Sequence, residues 1–518
     1  MTSHKKFFRV VLILLAAIIL VIVLLPIALK PIVKNKIYEA LPENHQLQFG
    51  KMNLSLIPLG ISIYNVEWIN TTAGQDHSIF KRAVIDTLAV SGIDVLAYVM
   101  HDRLEVENFH ISGLHSELLN SEKDKSKKDS TKSKNSSLIL NVTNTSVTNT
   151  SVVYFMADDE EPTLDVPYID IKVRNFEMDF NNGDLMADNY QFDIKKIKYI
   201  PKSKLHEISA ASILISGDKE KAEFDSIRIK PLVNASQLPN LVTYETGIID
   251  LVLPSVKIGG MDFVDMYQSR SVALNHVWLN EPRLELYKDK TLKDKPSKLP
   301  SEMLKSIPFE VKVDSIQIHS GFIKYYELME REKSPGHITF ERLHGSIYNM
   351  NNQTGSGPAE IVANAYLMGS AKLEATFKFP FGFVSDTFAI KGSLDGMALS
   401  EINPMVMNVA SVEVMDGMMQ KMEFDFQANR NFSSGVLYFY YSDFKLALLN
   451  KDNNKQGIIK KIVSFVANVA LISNNPRGEQ LREGEIYFER EEPKSIFNYW
   501  WKSLFSGIKS SVTGNNKK

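Results

Sequence analysis

Two stretches of the chain read KLEATFKFPF, from Lys372, and KMEFDFQA, from Lys421. In the first, Leu373, Ala375, Phe377 and Phe379 alternate with Lys372, Glu374, Thr376 and Lys378. In the second, Met422, Phe424, Phe426 and Ala428 alternate with Lys421, Glu423, Asp425 and Gln427. Successive side chains of a strand point to opposite faces, so each stretch predicts a strand with one dry side and one wet side. Similar alternation recurs in NLSLIPLGISIYNVEW, YIDIKVRNFEMDF, EFDSIRI and GVLYFYYSDFKLALL, and helical periodicity is scarce before the C-terminus. The expectation is a mostly β protein, antiparallel because the connections look too short for helical crossovers.

One piece of this pattern is written twice. GIDVLAYVMHDRLEVENFHISGL, from Gly92, and GMDFVDMYQSRSVALNHVWLNEP, from Gly260, align at an offset of 168 positions. Asp94 then falls on Asp262, Val106 on Leu274, Ile111 on Leu279 and Glu117 on Glu285. Each copy reads strand, short helical turn, strand pair, lysine-rich stretch, strand. The lysine-rich stretches, residues 120–137 and 288–306, read as solvated, mobile loops, with an anionic-lipid contact as the functional alternative. Units leaning on their own copies are the logic of a repeat array, which predicts one continuous elongated sheet. Two separate sandwiches are the other reading.

Such a sheet needs its dry face covered, because a single layer has no partner layer. Curling on itself, packing helices or holding a ligand would each do so. The residues Leu373, Ala375, Phe377, Phe379, Met422, Phe424 and Phe426 are the candidates for lining a trough that takes alkyl chains. The two C-terminal segments offer helices. GIIKKIVSFVANVALIS spaces Ile458, Ile462, Phe465, Val466, Val469 and Ile472 helically, and SIFNYWWKSLFSGIKSSV groups Phe497, Trp500, Trp501, Leu504 and Ile508 on one face. The second helix can close the end of the sheet. It can also lie in a membrane interface through Phe497, Trp500, Trp501 and Leu504.

The N-terminus carries the other strong signal. Val10 to Leu29 contain no charge, and at about 1.5 Å per residue they give roughly 30 Å of helix, the thickness of a bilayer core. Lys5, Lys6 and Arg9 precede the run and predict a cytoplasmic N-terminus. A cleaved signal peptide is the alternative, but the run is long for one and no small-x-small site follows.

Catalytic signatures are missing. The chain has 0 cysteines and no phosphate-binding loop, dinucleotide fingerprint or nucleophile elbow. His206-Glu207 lacks the second histidine of a zinc protease, and His110 and His115 are spaced for neither a strand face nor a helical metal pair. The run Asp158 to Glu161 reads as a solvated turn before Pro162, and the Asn-x-Ser/Thr triplets at Asn141, Asn144 and Asn149 read as chance in a Ser/Thr-rich strand. A net charge of −2 gives no field for nucleic acid. The expectation is no enzyme, no metal and no cofactor.

The anchor, LSLIPLGISIYNVEW and LNEPRLELY resemble the AsmA-like family of bacterial envelope proteins, which includes the TamB relatives. DTFAIKGSLDGMALSEINPM, FDFQANRNFSSGVLYFYYSDFKLALL, VANVALISNNP and IFNYWWKSLFSGIKSSV are similar to its Bacteroidota-type members. The resemblance implies a transmembrane helix followed by an elongated, twisted antiparallel sheet curled into a repeating β-groove, with short helices that include a C-terminal amphipathic one. It implies a single-pass inner-membrane protein held through residues 10–29, with its bulk in the periplasm. Its implied role is that of a lipid-transfer conduit for phospholipid acyl chains, serving the outer membrane, with envelope proteins as further partners. A non-enzymatic scaffold for outer-membrane protein assembly is the alternative. The expected segments are 1–9, 10–29, 38–200, 201–350, 351–456 and 457–518.

Overall fold

The computed structural model describes residues 25–73, 79–120, 138–156, 159–295, 298–353, 355, 357–380, 387–449, 471–492 and 494–513. Most of the expected membrane span, the first lysine-rich stretch and the helix expected around Ile462 lie outside them. Among the described residues no helix is long and apolar enough to cross a membrane. The chain divides into two compact units. The first holds Met1–Lys202, Ser209–Glu223 and Asp262–Gln268, and the second holds Ser203–Ile208, Phe224–Met261 and Ser269–Lys518.

The first unit opens with helix α1 (25–39). It continues through β1 (His45–Leu56), β2 (Leu59–Asn70), β3 (Phe80–Asp94), α2 (Val95–His101), β4 (Arg103–Ser112) and β5 (His115–Asn120). Then come β6 (Ile139–Met156), β7 (Leu164–Asp179), β8 (Leu185–Met186) and β9 (Asn189–Tyr199). β10 (His206–Ser216) and β11 (Lys221–Pro231) contribute residues to both units. They are followed by α3 (Leu238–Leu241), β12 (Ile248–Gly259), α4 (Phe263–Ser269), β13 (Ser271–Asn280), β14 (Arg283–Asp289), α5 (Pro300–Lys305) and β15 (Glu310–Leu328). The second unit continues with β16 (Gly336–Asn351), β17 (Ala359–Leu367), β18 (Ala371–Phe379), β19 (Phe388–Ala398) and α6 (Asn403–Ala410). It ends with β20 (Val412–Ala428), β21 (Phe432–Leu448), β22 (Glu483–Glu489) and α7 (Ile496–Thr513).

The duplicated sequence is a duplicated topology. In the first copy β3 pairs antiparallel with both β4 and β5, and β6 runs parallel to both. In the second, β12 pairs antiparallel with β13 and β14, and β15 runs parallel to both. The local chemistry matches too. Asp94 accepts from the backbone N–H of Leu96 and Ala97 at 2.9 and 3.0 Å, which caps α2. Asp262 does the same for Val264 and Asp265 at 2.9 and 3.1 Å. Two residues before each aspartate stands a glycine, Gly92 with φ 70° and Gly260 with φ 68°. A Cβ there would meet the side chain of Glu107 or Asn275 on the next strand, so glycine is required twice over.

This topology corrects the all-antiparallel expectation. The antiparallel pattern holds from β1 to β3, from β6 to β9 and from β15 to β22, but β6 and β15 each enter parallel to two predecessors. Parallel neighbours need a crossover of a dozen or more residues. The second lysine-rich stretch is such a crossover, joining β14 to β15, and the first, outside the described residues, falls at the corresponding place in sequence between β5 and β6. The second is built into its unit. It forms α5, and its Leu299 is only 1% exposed within the main core. Lys290 at its start is bonded to Glu245 at 2.9 Å, with both side chains under a tenth exposed.

Candidate apolar groove

Residues paired directly across neighbouring strands share a face, so the register lists the faces of each sheet. In the first unit one line crosses seven strands as Met52, Ile63, Leu88, Ile111, Val147, Ile171 and Phe192. Two residues along, a second line reads Leu54, Ile61, Val90, Phe109, Thr145, Val173 and Tyr190. The line between them, on the opposite face, reads Asn53, Ser62, Ala89, His110, Ser146, Lys172 and Gln191. One face is dry and the other wet across the whole width. Yet most residues of the dry lines are only half-buried, with Met52, Ile63 and Tyr190 the buried exceptions. Among the described residues helices touch this face only at its two ends: Val33 and Ile37 of α1 pack at the β1 end, and Phe263 of α4 meets Tyr190 and Phe192 at the β9 end with ring centroids 6.1 and 5.5 Å apart.

The strands also bend. Asn65, Gly113, Asn149 and Lys196 take left-handed backbone, with φ of 51°, 65°, 52° and 59°. Asparagine and glycine tolerate that conformation best, and the Asn149 N–H donates to Asp170 Oδ1 at 2.8 Å. The kink at Asn65 exchanges the inward positions with no extra residue relative to β1 or β3. In β2 the inward side chains pass from Ile61 and Ile63 to Val66 and Trp68. Met52 and Ile63 on one side of the bend pack with Val66 and Ile85 on the other in a single cluster. The cross-section is thus a groove with two apolar walls.

The second unit carries the same device over ten strands. One line reads Ile258, Val277, Ile316, Ile347, Ile361, Phe377, Ile390, Phe426, Gly435 and Ile486. From Ile258 to Phe377 it is half-buried. Ile390, Phe426 and Ile486 are 3%, 2% and 1% exposed. The difference is α7, which lies on this end of the face.

α7 reaches the sheet through Tyr499, Ser503, Gly507 and Ser511, a stripe of mostly small residues four apart. A Cβ on Gly507 would sit 2.8 Å from Ile486 Cγ1 and 2.9 Å from Leu437 Cβ, so the helix backbone rests directly on the sheet. The Ser433 and Ser503 hydroxyls bond at 2.7 Å, both fully buried, and the Tyr499 hydroxyl donates to the Asn429 carbonyl at 3.1 Å. Ser506 and Ser510 accept from the backbone N–H groups of Tyr487 and Glu485, each at 3.1 Å. Those N–H groups belong to β22, the last strand, so α7 blunts an edge as well as covering a face. Burial pushes the Tyr499 phenol up to about 12, and does the same to Tyr441, whose hydroxyl donates to the Ile472 carbonyl at 2.9 Å.

The expected lining residues therefore share one face, but not one environment. Phe379, Met422, Phe424 and Phe426 are core, between 2% and 7% exposed, while Leu373, Ala375 and Phe377 are half-buried. Phe377 meets Trp500 with ring centroids 4.8 Å apart. The four side chains named as membrane-interface candidates divide into two pairs. Trp500 and Leu504 pack against the core, but Phe497 and Trp501 remain 38% and 37% exposed. The residues that seat α7 were missed because they are small and polar. The four-residue spacing of Ser503, Gly507 and Ser511 was the available signal. The longer dry lines were missed because their residues come from many strands.

On the wet face of β17–β21 lies an open cleft of about 720 Å³, lined by residues that include Thr376, Lys391, Glu423, Asp425 and Tyr438. Its charges are matched by lysines, Asp425 with Lys391 at 3.9 Å and Glu423 with Lys421 at 2.8 Å. Among the described residues no group of three potential metal ligands converges. Compared with known proteins, the chain matches no family model and no curated relative.

Proposed function

We propose that this chain is a membrane-anchored lipid-transfer module that holds phospholipid acyl chains against its uncovered apolar lines. The observation that carries the reading is the first unit's dry face, apolar across seven strands and only partly buried over most of its width. Exposed contiguous apolar surface of this kind marks an interaction site. An acyl chain is a fitting occupant, since moving it through water costs about 0.8 kcal/mol per CH₂, or roughly 12 kcal/mol for sixteen carbons. A face without fixed charge grips the tail and leaves head-group choice loose. The resemblance to AsmA-like proteins points the same way, with residues 10–29 as inner-membrane anchor, a periplasmic body and a role in envelope lipid homeostasis. The role is non-catalytic.

The test is native mass spectrometry with lipid extraction on the chain lacking residues 1–24, purified without detergent. The expected result is phospholipid at one or more molecules per chain, lost in Val90→Asp and Phe109→Asp variants that keep their circular dichroism. A folded, lipid-free chain would overturn the reading.

A second reading has its own support. In the second unit the same kind of face is covered by a protein segment, α7. A partner protein could cover the rest, which would make the chain a scaffold for envelope protein assembly. Co-purification of such a partner without lipid is the result that favours it.

A further inference from the structure

We propose that the end of the second unit where α7 meets the second crossover is a docking surface for an anionic bilayer. Three pieces of chain converge there. Lys494, just before α7, bonds Asp294 of the crossover at 2.7 Å. The turn between β20 and β21 touches both helices, Asn429 through Tyr499 and Arg430 through Glu302 of α5 at 3.0 Å. The Phe497 ring stands 5.2 Å from that of Tyr325 in β15.

What this end presents to water is apolar and basic together. Phe497 and Trp501 are over a third exposed, and Met303 of α5 is 58% exposed. Beside them the crossover carries Lys293, Lys295 and Lys298, all exposed. The carboxylates within the same stretch, Asp294 and Glu302, are occupied by Lys494 and Arg430. Glu491 and Glu492 in the adjoining turn offset two of the three lysine charges.

Two features select a bilayer over a protein as the occupant. Lysine is depleted at protein–protein interfaces, whereas interfacial helices pair tryptophan and phenylalanine with lysines that reach the phosphates. The side chains are also divided correctly for that role. Trp500 and Leu504 fasten α7 to the sheet, which leaves Phe497 and Trp501 to enter a membrane without unfolding anything. The inference rests on no property of the apolar lines, so it stands or falls separately from the lipid-carrying reading.

The chain holds 4 tryptophans, so Trp501 can serve as a local reporter. The experiment uses the full chain in phosphatidylcholine nanodiscs, with Trp68→Phe, Trp278→Phe and Trp500→Phe. It is mixed with vesicles of brominated phosphatidylcholine, with or without phosphatidylglycerol. The expected result is quenching of Trp501 by the anionic vesicles and little by the neutral ones. Reversing charge at Lys293, Lys295 and Lys298 to Glu should weaken vesicle affinity by at least about tenfold, and Phe497→Ser with Met303→Ser should abolish quenching. These sites are exposed, and unchanged circular dichroism checks the fold. Absence of quenching by either vesicle overturns the proposal. So does equal quenching by both that survives the lysine reversal.

Discussion

The first unit and the C-terminal end of the second are built from the same strand grammar and handle it in opposite ways. In the first, lines such as Leu88, Ile111, Val147 and Ile171 are apolar from strand to strand but only half-buried. In the second, the equivalent line through Ile390, Phe426 and Ile486 is fully buried because a helix lies on it. What differs is not the alternation within the strands. It is whether a segment with a stripe of small residues follows that can sit on them. A dry face is thus a site or a core depending on what covers it.

Truncating one aromatic on each side should break that comparison most visibly. Phe426→Ala, beneath α7, is expected to cost about 3–5 kcal/mol, the range for a core phenylalanine. Phe109→Ala, on the lines α7 does not cover, should cost less, about 1.5 kcal/mol, because part of the ring stays in contact with water. Hydrogen exchange resolved by strand reads the two losses separately. Equal losses would mean that the first unit's face is closed after all.

Next in size is Gly507→Val. Its branched side chain would meet Ile486 and Leu437 at under 3 Å, and overpacking of this kind costs about 1–3 kcal/mol. Unseating α7 should turn the covered end into an open one, seen as faster proteolysis within 496–513 and new binding of a hydrophobic dye.

A pH titration should also act unequally on the two regions. In the folded state the Tyr441 and Tyr499 phenols titrate near 12, against an ordinary value of 10. Below pH 10 both are neutral whether the chain is folded or not. Between pH 10 and 12 the unfolded chain gives up these protons while the core retains them, so stability falls as pH rises through that window. The α7 region should lose exchange protection there before β2–β6 does. Loss in the opposite order would contradict the assigned burial. Smallest of all, Asp94→Ala and Asp262→Ala should each cost about 1 kcal/mol through loss of a helix cap. A large difference between them would break the equivalence of the two copies.

Much of this fold was legible, and unevenly so. Alternation at Leu373–Phe379 and Met422–Phe426 identified strands and their dry face, because a two-residue period is a local signal. The offset between Asp94 and Asp262 located a repeated unit down to its caps. The parallel pairing of β6 and β15 was not legible, since pattern within a strand is silent on its neighbour's direction. The lysine-rich stretches were the clue, read as loops when their length suited crossovers. Nor did the sequence separate lining from core among Phe377, Phe424 and Phe426. Their cover comes from residues about 70 to 120 positions away, and it is made by Ser503 and Gly507, which carry little hydrophobicity.

The most direct test of the account is a photocrosslinking map of the full chain with a phospholipid carrying a diazirine in its acyl chain. The account predicts adducts along Leu88, Ile111 and Val147, and none on Ile390 or Phe426 while α7 is seated. Adducts spread equally over both sets, or confined to the wet face around Ser62, His110 and Lys172, would contradict it.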